Sequence, residues 1–180
     1  VTRAPLALFA LAAALPAFAQ PPAMKGVPLG GTEADIQHAL PGIHCADTDP
    51  SRRWAAGERA CIGKTTYATV PATVFYALWS GRVEVARASF SPSAYASVIE
   101  ALRARYGAET SADVHDVTTR AGQVYRNLLA KWTLPDGVEL VAEKYAGSIT
   151  QSTVTLSPAD YLERAQRRRA AQTPQRAEDL

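Results

Sequence analysis

The hydrophobic pattern is organised around Val70 to Phe90, VPATVFYALWSGRVEVARASF, where alternation is blurred because Val74, Tyr76 and Leu78 are apolar as well. Two runs rich in β-branched and aromatic residues are broken there by Ser80-Gly81, which predicts a β-hairpin. A weaker copy runs from Asn127 to Tyr145, NLLAKWTLPDGVELVAEKY, with Pro135-Asp136-Gly137 as the break. Aligning the two sets Phe75, Ala77 and Trp79 against Ala130, Trp132 and Leu134, and residues two apart share one side of a strand. Those positions are therefore expected on the buried face, with Asn127, Leu129, Lys131 and Thr133 facing partly into water.

Helical spacing marks other stretches. Thr32-Glu33-Ala34-Asp35 has an N-cap residue and first-turn acids, followed by Ile36, Ala39 and Leu40 and a Pro41-Gly42 stop. Tyr95, Val98, Ile99, Leu102 and Tyr106 form the stripe of a helix laid on a sheet. Ser91-Pro92 precedes this helix, and Ser157-Pro158 precedes a last helical segment that carries Tyr161, Leu162 and Ala165 on one side. The expected fold class is α+β: two helix-plus-three-strand repeats forming an antiparallel sheet with helices packed on one face. The expected order is a signal peptide over 1–19, a mobile lead-in over 20–24 and a single domain over 25–170. Within it, repeat 1 spans about 25–90, repeat 2 about 91–157 and the C-terminal helix 158–170, and a disordered tail follows over 171–180.

The start of the chain changes the picture most. Arg3, the apolar run Leu6 to Leu15 and Ala17-Phe18-Ala19 follow the secretory pattern of charge, short apolar core and small-residue cleavage site. The run is too short to span a bilayer. The reading is a bacterial periplasmic or secreted protein cleaved near Ala19. The only cysteines, Cys45 and Cys61, are then expected to form a disulfide. The rival is a metal or reactive-thiol site built with His38, His44, Asp47 and Asp49, and no CxxC or HxxxH spacing favours it.

Net charge is +2 in 180 residues, too small for a global field that would draw in nucleic acid. Basic residues collect near the end at Arg164, Arg167, Arg168 and Arg169, where a helix dipole favours cations. Contact of that segment with an anionic membrane surface is the weaker alternative to a solvated helix end. No nucleophile elbow or zinc-protease motif is present, no catalytic residue is assigned, and no cofactor or metal is expected. Val114 to Thr118 reads as a short edge strand, and its His115 and Asp116 as solvated residues with no acid–base role.

Val27-Pro28-Leu29-Gly30-Gly31-Thr32-Glu33-Ala34-Asp35-Ile36, with Cys45, Cys61 and the Trp79-Ser80-Gly81-Arg82-Val83 turn, resembles a bacterial envelope superfamily. Its members are outer-membrane assembly lipoproteins of the SmpA/OmlA (BamE-like) type and the β-lactamase inhibitory protein. Gly30-Gly31-Thr32 stands where those proteins tend to carry Gly-Met-Thr, and the lipoprotein Cys is missing. The resemblance implies helices on one face of an antiparallel sheet and a role in binding proteins. The functional expectation is a non-catalytic periplasmic protein that binds another envelope protein in an adaptor or assembly role. The alternatives are an inhibitor of a secreted enzyme and, behind it, a small secreted hydrolase. Candidate residues on the binding surface are Tyr76, Glu84, Asn127, Lys131 and Glu139.

Overall fold

The computed structural model describes residues 21–48 and 57–178, with side chains for all of these except residue 169 and residues 171–178. The expected signal peptide and Asp49 lie outside the described residues.

Eight strands form one antiparallel sheet. They are β3 (His44–Asp47), β4 (Arg59–Tyr67), β5 (Val70–Trp79), β6 (Arg82–Phe90), β7 (Ser111–Thr118), β8 (Val124–Leu134), β9 (Val138–Glu143) and β10 (Ser152–Pro158). Their order across the sheet is β3-β4-β5-β6-β10-β9-β8-β7. A small hairpin of β1 (Ala23–Met24) and β2 (Val27–Pro28) precedes them. The α-helices among the described residues are α1 (Glu33–Ala39), α2 (Tyr95–Tyr106) and α3 (Tyr161–Glu178).

This overturns the expected fold class. The described residues are mostly β, 48% strand against 24% helix, and do not form helix-plus-three-strand repeats. One strand escaped the pattern and another was read short because they are polar: β3 reads HCAD, and β7, SADVHDVT, extends N-terminal to the expected Val114 to Thr118. Being edge strands, they need no apolar face of their own. Nor do the helices share one face of the sheet, since α3 lies opposite α2, as its contacts below show. The helix α3 also continues past the expected end at Ala170, and Met24 of the expected mobile lead-in is buried in β1.

Register decides which side chains meet. Val74 pairs with Ala88, Tyr76 with Ala86, and Leu78 with Val83, while Trp132 pairs with Leu140 and Val154 with Ala142. These residues are buried on one face beneath α2, whose Val98, Ile99 and Leu102 reach down onto them. The Tyr95 hydroxyl donates to the carbonyls of Leu128 and Ala142, and the Trp132 indole N–H to that of Gly107. Burial pushes the Tyr95 phenol up to about 12. Phe75, Ala77 and Trp79 point to the other face, so their expected alignment with Ala130, Trp132 and Leu134 fails by one position.

The Gly30-Gly31 segment closes a gap in the middle of the sheet. β6 carries a bulge beside Leu78, and its pairing with β10 covers only Ala86 to Phe90. Val83 instead exchanges backbone hydrogen bonds with this segment: Gly30 N–H donates to its carbonyl and its own N–H donates to Gly31, both at 2.8 Å. Gly30 adopts φ +78°, a conformation open to glycine at no steric cost. Thr32 then starts α1 with a reciprocal cap: its hydroxyl accepts from Asp35 N–H, and the Asp35 carboxylate accepts from Thr32 N–H at 2.7 Å.

Candidate functional site

With one face packed, the other face of the sheet is the candidate surface. Its positions alternate with the core: Ile62, Lys64, Thr73, Phe75, Arg87 and Ser89 on one half, and Thr153, Thr155, Val141, Glu143, Leu129 and Lys131 on the other. Most are half-buried; Ile62 is 49% exposed. Arg87 donates to the Thr155 hydroxyl across the central strand pair.

One end of this face is covered. Arg168 of α3 donates both guanidinium nitrogens to the Glu84 carboxylate, at 3.0 and 2.5 Å. The same guanidinium lies 4.4 Å from the centre of the Trp79 ring, a cation–π contact. Arg164 stands 3.6 Å from Glu84 and 3.2 Å from Asp160. The helix α3 thus crosses the Trp79 end, where Ala77 and Val85 of this face are buried.

At the far half lies a polar network. Asn127 is fully buried, and its side-chain carbonyl accepts from Tyr145 N–H at 2.8 Å. Its amide nitrogen therefore faces both Glu143, at 3.0 Å, and the His115 Nε2, at 3.2 Å. Because that nitrogen can only donate, Nε2 must accept, and the ring proton sits on Nδ1, which donates to Asp113 at 3.0 Å. Tyr125 and Tyr145 meet edge-to-face beside this network, ring centres 5.7 Å apart. No hydroxyl or thiol is hydrogen-bonded to either His115 nitrogen among the described residues.

The expected surface residues separate on this geometry. Tyr76 is not on the surface: it is fully buried on the packed face, with its hydroxyl donating to the Met24 carbonyl. The reason is the one-position slip noted above, since Tyr76 falls in phase with Val74 and Leu78. Glu84, Asn127, Lys131 and Glu139 all point to the other face. Glu84 is engaged by α3, Asn127 by its network, and Lys131 and Glu139 form an ion pair with each other. Arg164, Arg167 and Arg168 are on α3, with Arg167 paired to Glu163; the side chain of Arg169 lies outside the described set. Sequence reading missed Asp113, Glu143 and the tyrosine pair, which meet only once the β7-β8-β9 register is known.

Cys45 and Cys61 are directly opposite each other on β3 and β4 and are joined by a disulfide. Beside them Arg59 donates to Glu33 of α1 and to Asp47 of β3, tying the helix to the sheet edge. The Arg59 hydrogen bonds hold the Glu33 carboxyl below its ordinary range. The metal-ligating alternative loses its thiolates to the bond: the one group of three such atoms among the described residues is Glu33, Cys45 and Cys61. No helix among the described residues is long and apolar enough to cross a membrane. In comparisons with known proteins, no family model, curated protein or solved structure matches this chain.

Proposed function

We propose that this chain is an exported, non-catalytic protein that binds another envelope protein through the uncovered part of its sheet, in an adaptor or assembly role. The observation that carries this reading is the contrast between a helix-covered face and a face whose apolar residues, Ile62, Phe75 and Leu129, stay partly in water among polar ones. Such a mixed surface suits protein recognition. The disulfide supports an oxidising compartment outside the cytoplasm. Inhibition of a secreted enzyme would use the same face.

The test is site-specific photo-crosslinking in cells that make the protein. A crosslinking residue replaces Ile62 on the open face and, in a second strain, Leu162 on the outer side of α3. A discrete adduct from position 62 alone is the expected result. Equal smears from both positions, or none from either, would remove the open face as a binding surface. Stoichiometric loss of activity in lysozymes, β-lactamases or proteases titrated with the protein would move the reading from adaptor to inhibitor.

A further inference from the structure

The two edges of the sheet differ. β3 spans four residues and is bonded to its neighbour through the disulfide, whereas β7 spans eight and is exposed along almost its whole length. Among the described residues β7 pairs with β8 alone. Thr119 N–H donates to the Gln123 carbonyl at 2.8 Å, and this pair continues the register in which Thr118 faces Val124. Backbone groups in an antiparallel ladder turn toward the partner at every second residue. Val117, His115, Asp113 and Ser111 therefore face β8. Ala112, Val114, Asp116 and Thr118 turn their N–H and C=O groups away from it.

Side chains along this bare edge are chemically uneven. On the packed side a groove of about 300 Å³ runs between β7 and α2, bordered by Tyr95, Ile99, Ala112, Val114, Leu128 and Ala130. Val114 is 54% exposed at its lip, and Ala112 leaves room for a side chain to pass over it. Carboxylates lie along the edge: Glu100 on α2 borders the groove, Asp116 is on the same side of β7 opposite Arg126, and Asp113 is on the other side, hydrogen-bonded to His115. Glu109 is spoken for by Arg103, which donates to it at 2.9 and 2.5 Å. The edge is thus hydrogen-bond competent and apolar on one side, and β7 itself carries two carboxylates and no lysine or arginine.

The geometry points to β7 as a strand-addition site for an extended cationic segment of another protein, one in which apolar residues alternate with lysine or arginine. Antiparallel or parallel, the added strand would place its apolar side chains over Ala112 and Val114, toward the groove. Its basic side chains would lie on the opposite side, beside Asp113. A second copy of this chain is the poorer occupant, because pairing β7 with itself gathers two Asp113 and two Asp116 carboxylates into one patch. This inference concerns the sheet edge and stands apart from the open-face reading.

The full chain, labelled for amide NMR, is titrated with a short capped peptide of alternating Lys and Val. Binding with slowed hydrogen exchange at Ala112, Val114 and Asp116 is expected. A Glu–Val peptide, and a Lys–Val peptide N-methylated at alternate residues, should bind at least about tenfold more weakly, the scale of one or two lost hydrogen bonds or charge contacts. Val114→Pro deletes an outward N–H and none that β8 uses, so it should weaken the Lys–Val peptide about tenfold with an unchanged melting curve. If that variant misfolds, Asp113→Asn with Asp116→Asn should weaken binding through charge alone. No binding, or equal binding of the methylated peptide, overturns the proposal. So does concentration-dependent protection of the same three amides in the protein alone, which would mean that a second copy fills the edge. None of these results bears on crosslinking at position 62.

Discussion

The central strand pair shows the two faces side by side. On one face β6 and β10 offer Ala86, Ala88 and Phe90 opposite Leu156, Val154 and Ser152. On the other they offer Arg87 and Ser89 opposite Thr155 and Thr153. The alanines let α2 approach the sheet closely, and the larger aliphatic residues beside them fill the space it leaves. The threonines keep the strand propensity of a β-branched residue while leaving the surface wettable. Stability and recognition are thus written in alternate residues of the same strands, so substitutions can change one and spare the other.

The largest effect expected is in the packed face. Trp132→Ala removes a buried ring and its bond to Gly107, and should cost about 3–5 kcal/mol in denaturant unfolding. Ile62→Ala on the open face should stay within about 0.5 kcal/mol. Similar losses at the two sites would erase the distinction between the faces. Replacing both cysteines by serine frees a crosslink that spans 16 residues and should cost about 3 kcal/mol, read as a lower denaturation midpoint.

Asn127 sharpens the comparison, because it is buried although it belongs to the open face. Asn127→Ala orphans Tyr145 N–H and should cost about 1–3 kcal/mol, far more than its open-face neighbours. It should also release the His115 ring from its single tautomer, visible in the imidazole nitrogen shifts.

The smallest effect lies at the β7 end. Arg103 holds the Glu109 carboxyl down at about 2, from an ordinary 4.5. A lowered carboxyl contributes stability above its unfolded pKa and loses it as pH falls through the folded one. The wild type should therefore shed stability between pH 4.5 and about 2, and Glu109→Gln should flatten that limb of the stability curve. An unchanged limb would mean that solvent screens the pair completely.

Much of the local structure was legible. The Ser80-Gly81 hairpin, the Thr32 cap, the α2 stripe and the cysteine pair each rest on residues close in sequence or unique in type. The phase of β5 was not, because Val74, Tyr76 and Leu78 are as apolar as Phe75, Ala77 and Trp79. Both sets are apolar for a reason found elsewhere in the chain: α3 returns to cover the Trp79 end. Polar β3 carried no alternation to read and β7 was legible only over Val114 to Thr118, which is why the sheet was underestimated and the chain expected to be α+β. Ser157-Pro158 has the look of a helix start, yet Pro158 ends β10 opposite Val138, and α3 begins only at Tyr161. The Asn127 network needs three strands in register before its members meet.

Pairing of β6 with β10 joins Ala88 to Val154, residues far apart in the chain, at the middle of the sheet. The earlier half can form its hairpins while the later half is still being made, but β6 then waits with a bare flank until the last strand arrives. A ribosome delivering this chain from its N-terminus holds that flank open while the segment between Phe90 and Ser152 is made. Keeping it from sticking to a neighbouring nascent chain is a task that escort proteins, rather than the finished molecule, must perform.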